Sequence, residues 1–235
     1  MKKKIVLICL LLIGCSLAIG STLAYFASHD NANNVFEYGS IKVEQMEQEH
    51  DENGDLVDFT QNQVIYPIVN VDDPQNDPNY IEKLVSIKNK GANDAYVRCF
   101  IAVPSALKDV LHLDTDTSGK WLKDHHIWDE VTINGITHYV TSYTYNFALN
   151  KSEVSDYVLN GVYLDAKVDY QLNEANNQKQ LCTLNDDGTY TFYDYDVKSG
   201  INVYVVTQAC QVQGLGTNPQ NAVDSAFGTE TPNFN

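Results

Sequence analysis

Leu84-Val85-Ser86-Ile87-Lys88-Asn89, followed by Lys90-Gly91-Ala92-Asn93-Asp94 and then by Ala95-Tyr96-Val97-Arg98-Cys99-Phe100-Ile101-Ala102-Val103, is the stretch that decides the fold. Two runs rich in β-branched and aromatic residues flank a short segment of small and polar ones, so the chain turns back and pairs antiparallel. In the return run side chains alternate between faces, which puts Val97, Cys99, Ile101 and Val103 on one side and Tyr96, Arg98 and Phe100 on the other. The first set, with Val85 and Ile87 across the hairpin and Val203 and Val205 later in the chain, is the expected core.

The same signature extends in both directions. Strand-like runs are read at residues 34–45, 56–66, 130–133, 137–148, 162–164, 180–184, 190–195 and 201–211. Asn53-Gly54, Asn134-Gly135 and Asp187-Gly188 supply residues that accept positive φ, as tight hairpins require. A short helix is expected from Pro104 to Leu111, with Ala106, Val110 and Leu107 inward. Residues 71–79, with Pro74 and Pro78, read as an exposed loop, and residues 229–235 as a loose tail. The pattern predicts an all-β chain: a jelly-roll-like antiparallel β-sandwich over residues 25–228, with a short helix and an N-terminal hydrophobic signal segment at 1–24.

That segment opens with Lys2, Lys3 and Lys4 and then runs without charge from Ile5 to Ser28, the basic and apolar parts of an export signal. Thr22-Leu23-Ala24 places small residues where a signal peptidase reads, so cleavage is expected between Ala24 and Tyr25. The apolar run also approaches the length of a membrane span, and an uncleaved anchor is the alternative. Leu12-Ile13-Gly14-Cys15 has the form of a lipobox, yet the chain stays apolar from Ser16 to Phe26, where a lipoprotein turns polar. Membrane contact is expected through this segment only, and the location is secreted, at the cell surface.

Removing residues 1–24 takes away three lysines and no acid, so the formal charge moves from −16 to −19. Phosphate neutralisation needs clustered Lys and Arg, so no nucleic-acid partner is expected. Beyond the signal the cysteines are Cys99, Cys182 and Cys210, an odd number that no set of internal bridges exhausts. Cys99 and Cys210 sit in apolar alternating runs that favour burial; if a bridge forms, Cys182 with Cys210 is the expected pair.

Ser21-Thr22-Leu23-Ala24-Tyr25-Phe26 and Asn33-Asn34-Val35-Phe36-Glu37-Tyr38-Gly39-Ser40-Ile41-Lys42-Val43 resemble the junction of proteins matured by the SipW-type signal peptidase. That group includes the TasA and camelysin family of biofilm-matrix and cell-surface proteins of Gram-positive bacteria. Residues 86–98, Gly161-Val162-Tyr163-Leu164-Asp165, and Ala209 with Gln211 before Ala226-Phe227-Gly228 resemble alternate-signal exported proteins of clostridia. The resemblance implies a signal peptidase of SipW type as processing partner, and an extracellular matrix role through self-association or other surface proteins. It also implies fibre assembly by donation of an N-terminal strand, for which Phe26, Val35, Phe36, Ile41 and Val43 are the apolar positions. An ordinary first strand within its own sandwich is the competing reading.

The resemblance to camelysin also implies a secreted metal-dependent peptidase as an alternative. None of His29, His50, His112, His125, His126 and His138 stands in an H-E-x-x-H pair, and no G-x-S-x-G is present. His125 and His126 beside Asp124, with His112, offer only a loose set of metal ligands, since neighbours on a strand point to opposite faces. Asp114-Thr115-Asp116-Thr117-Ser118-Gly119 matches the opening of a calcium loop, with Asp114, Asp116 and Ser118 at alternate positions, but His125 stands where the closing Glu belongs. A polar turn accounts for it, and neither a cofactor nor an enzymatic activity is expected. A third reading is a monomeric surface binding module with Trp121, Trp128, Tyr139, Tyr143 and Tyr145 as its aromatics.

Overall fold

A computed structural model describes residues 27–31, 34–35, 41–61, 63–124, 130–195 and 201–234. Its strands, in chain order, are β1 (Ala27–Asn31), β2 (Asn34–Val35), β3 (Val43–His50), β4 (Leu56–Asp58), β5 (Ile81–Asn89), β6 (Ala95–Pro104), β7 (Leu111–Thr115) and β8 (Trp121–Lys123). There follow β9 (Val131–Ile133), β10 (Ile136–Tyr145), β11 (Leu159–Leu164), β12 (Val168–Asn173), β13 (Gln178–Leu184), β14 (Tyr190–Phe192) and β15 (Tyr204–Gln211), and then the helix α1 (Pro219–Phe227). The alternating runs do what their period demands, and the protein is an all-β antiparallel sandwich.

Among the described residues one sheet is ordered β2-β1-β15-β6-β10-β8, with β9 also on β10, and a second is ordered β4-β3-β5-β11-β7. From β5 to β11 the chain passes back and forth between the two, as the jelly-roll-like expectation requires. A small meander, β12-β13-β14, forms a third sheet. The two-residue turn Asn134-Gly135 joins β9 to β10 with φ of 50° and 81°, the left-handed pair that a tight hairpin needs.

Val43, Val85, Ile87, Val97, Cys99, Ile101, Leu159 and Val205 meet between the large sheets, with Val203 packed at the margin. Strand β6 is buried at all ten positions. Its inner face meets the second sheet. Its outer face is roofed: Tyr96 packs with Cys210, Ala222 and Val223 under α1, and Phe100 and Ala102 pack with Ile133 and Val140.

Two expectations change. The helix read from Pro104 to Leu111 is a single 3-10 turn at Ser105–Leu107 that buries Leu107 and delivers the chain directly into β7. The α-helix lies instead at α1, started by the Asn218 side chain, which accepts from the Asn221 N–H at 3.0 Å, and by Pro219 in the first turn. The expected loose tail returns to the sheet, where Phe234 packs against the Phe100 group. Residues 1–24 lie outside those described.

Candidate functional site

The N-terminal arm and the edge it covers carry the geometry most relevant to function. Strand β1 pairs antiparallel with β15, from Ala27 opposite Cys210 to Asn31 opposite Val206. Short β2 folds back on β1, with Asp30 opposite Val35 and Asn31 opposite Asn34. The arm thus extends its own chain's first sheet at the open side of β15, whose other side is fixed to β6 from Tyr204 to Gln211. Covering a sheet edge satisfies a row of backbone donors and acceptors that otherwise template pairing with another chain.

The five apolar positions expected to act together do not form one unit. Ile41 is 0% exposed and Val43 2% exposed, both in the core between the sheets, and β3 is tied to β5 from Val43 opposite Asn89 to Gln48 opposite Leu84. They belong to the body of the domain, and the expectation that they form part of a donated strand is corrected on that ground. Val35 falls in β2, while Ala24, Tyr25, Phe26 and Phe36 lie outside the described residues. The run at 201–211 reads as a strand, and β15 is that strand, but its place as receiver of the arm is not legible, because its neighbours are set by long-range topology, which its own alternation does not record.

The calcium-like fragment is an ordered polar turn at the end of β7. Asp116 accepts from the Ser118 N–H at 2.8 Å, the Ser118 hydroxyl at 2.6 Å and the Trp121 N–H at 2.8 Å. Burial alone would raise the Asp116 carboxyl, but the Ser118 hydroxyl and these backbone donors outweigh it and hold it below the usual carboxylate range. Asp114 points elsewhere, accepting from Gln75 Nε2 at 2.7 Å and the Tyr80 hydroxyl at 2.8 Å. Among the described residues no group of three or more His, Cys, Asp or Glu side chains is placed to hold a metal ion. His125 and His126 fall outside those residues, and His112 stacks on Tyr163 at 4.9 Å.

The aromatics offered as an exposed binding surface are mostly core. Trp121, Tyr143 and Tyr145 are buried, and Tyr139 is half-buried. Their polar ends have partners: Trp121 Nε1 donates to the Asp156 carbonyl at 2.9 Å, and the Tyr145 hydroxyl to Asp156 Oδ2 at 2.8 Å. A satisfied polar tip lets a large ring go inside. Trp128 lies outside the described residues.

Cys99, Cys182 and Cys210 are all free and buried, which corrects the expected Cys182–Cys210 bridge. Cys210 lies beneath α1 and Cys182 in the meander, so the fold separates them. Burial pushes the Cys99 and Cys210 thiols up to about 12, which makes them poor nucleophiles.

Comparison of the chain with protein-family models, with curated proteins and with solved structures finds no match.

Proposed function

We propose that the protein is a secreted cell-surface or matrix subunit that assembles with its own kind by exchanging the N-terminal arm. The observation that carries this reading is the division between arm and body. Strand β1 sits on the side of β15, while Ile41 and Val43, a few residues on, are fixed in the core. An arm that leaves exposes the β15 edge, onto which the same residues of a second copy fit in the same register. Repeated head to tail, that contact is heterologous and propagates as a filament. The basic and apolar start of the chain, its small residues before Tyr25 and its acidic charge support export. In this reading the processing partner is a signal peptidase of SipW type and the protein is not an enzyme.

The register supplies a direct test, because Ala27 stands opposite the native Cys210. Directly opposed residues of an antiparallel pair have Cα atoms about 4.5–5.5 Å apart, inside the range a disulfide spans. The variant Ala27→Cys, secreted and oxidised, is expected to give internally bridged monomers when dilute and a ladder of covalent oligomers when concentrated. Electron microscopy of the same sample should show filaments. Internally bridged monomers alone at every concentration would overturn the exchange.

A further inference from the structure

On the inner face of β5 the order is Ile81, Lys83, Val85, Ile87, so an ammonium occupies a place in the core stripe. Lys83 is 5% exposed. Its Nζ donates to Glu47 on β3 and lies 4.1 Å from the centre of the Phe59 ring. Lys83 also lines a cavity of about 720 Å³ at the end of the sandwich. Most of the wall is apolar and comes from separate elements: Leu111 of β7, Val162 and Leu164 of β11, Val168 of β12, Leu181 of β13, and Val203 before β15; Gln61, Gln63, Asp169 and Asn202 add polar groups to the lining.

Irregular segments at residues 59–61 and 63–67, the strap, line one side. The strap is pinned where the Phe59 N–H donates to the Glu47 carbonyl and where the next residue, Ile68, donates to the Leu164 carbonyl, both at 3.0 Å. Three lining residues turn apolar surface outward: Val64 is 70% exposed, Tyr66 59% and Tyr170 41%.

We propose that this cavity binds a hydrophobic carboxylate, a single aliphatic chain whose acid head bonds to the Lys83 ammonium. Its volume lies within the range of about 300–1,000 Å³ that small-molecule sites occupy, and mostly apolar walls with few polar groups are what such sites share. An ammonium has three N–H donors, so one directed at Glu47 leaves donors for a ligand oxygen. Of the two charged lining residues, Asp169 is exposed and accepts from the Tyr170 N–H at 2.7 Å and from Gln171 Nε2 at 2.6 Å, whereas Lys83 is buried, so the charge inside the cavity is the cation, which selects an acid over an amine. A buried ion pair is often no more stabilising than well-packed apolar residues, so folding alone gives little reason for a lysine in this stripe. The exposed Val64, Tyr66 and Tyr170 form an apolar entrance along which a chain slides.

The test is displacement of cis-parinaric acid from the mature protein by hexadecanoate, with hexadecan-1-ol and hexadecyltrimethylammonium alongside, all below their micelle concentrations. Saturable displacement by hexadecanoate is expected, weaker by about tenfold for the alcohol and absent for the cation. The double variant K83M/E47Q should keep its melting temperature or exceed it, yet lose that tenfold preference for the acid. A second variant, Val203→Trp, fills the cavity and should abolish displacement by acid and alcohol alike, with the circular-dichroism spectrum unchanged. No saturable displacement by hexadecanoate overturns the proposal. Equal affinity for acid and alcohol, or a folded K83M/E47Q protein that keeps the preference, overturns the role of Lys83.

Discussion

Deleting the arm and truncating Ile41 should affect stability very differently, and the structure sets both magnitudes. Strand β1 reads Ala-Ser-His-Asp-Asn, with no large apolar side chain to bury. Fixing five residues costs on the order of 5–10 kcal/mol at ~1–2 kcal/mol each. The ladder to β15 returns on the order of 2.5–7.5 kcal/mol, taking about five bonds at ~0.5–1.5 kcal/mol net. The terms nearly cancel. Mature protein lacking the five residues of β1 should therefore unfold within about 2 kcal/mol of the full-length chain, a shift of less than about 8 °C. Ile41, at 0% exposure between the sheets, is a different case: Ile41→Ala should cost about 2–5 kcal/mol, or roughly 4–20 °C. Thermal and urea unfolding of dilute monomer measure both. An arm deletion as damaging as Ile41→Ala would show that β1 belongs to the folding unit, and the exchange mechanism would fall with it.

Two further outcomes follow from the interior. His138 is 1% exposed, donates from Nδ1 to the Ile136 carbonyl at 2.8 Å, and meets the Tyr204 ring edge-on at 5.2 Å; burial, against that weaker opposing bond, lowers its pKa from the ordinary 6.5. Below about pH 6.5 the unfolded chain takes up a proton that the folded one resists, so this contribution is full above that pH and lost as pH falls through the lowered value. The melting temperature should decline as pH falls below about 6.5, and His138→Phe should flatten that part of the curve; an unaltered slope would refute the assignment. Arg98, 0% exposed, pairs with Asp224 of α1 and with Asp124 at 3.4 Å. Asp224→Ala should cost about 1.5–3 kcal/mol, at the lower end because the Asp224 side chain is 28% exposed, and should speed amide exchange in α1; unchanged exchange there would show that the pair does not dock the helix.

The central hairpin was legible because its information is local: period-two alternation on either side of a turn specifies both strands and their inward faces. The α1 helix had its punctuation in plain sight, Asn218 before Pro219 and Gly228 after Phe227, but its short apolar stripe gave little period to detect. The Pro104–Leu111 run had the opposite fault. Its apolar spacing suits a helix, yet the chain must cross from β6 to β7 within a few residues, and only one 3-10 turn fits. Trp121 and Tyr145 misled because a large ring with a polar tip is equally at home inside or out, and the Asp156 groups that settle the matter are distant in sequence. The edge of β15 was hidden for a related reason, since a strand's own sequence does not name its neighbours.

Lys83 marks the boundary between what local pattern can and cannot say. Begun at Leu84, the strand shows only its apolar part, and the lysine reads as an ordinary solvated flank. Extended back to Ile81, the same alternation places Lys83 inward, and β3 answers in kind: Gln45 donates to the Val205 carbonyl at 3.3 Å and accepts from the Thr207 hydroxyl at 2.8 Å, and Glu47 meets Lys83. The inner face of β3 thus changes from apolar at Val43 to polar at Gln45 and Glu47, and Lys83 interrupts the apolar order of β5 between Ile81 and Val85. A sandwich that only had to be stable would have continued the apolar stripe to its end, because each buried charge must be matched by a partner the fold holds in place. The polar end coincides with the mostly apolar cavity, and that coincidence ties Lys83 to a ligand more strongly than either feature does alone.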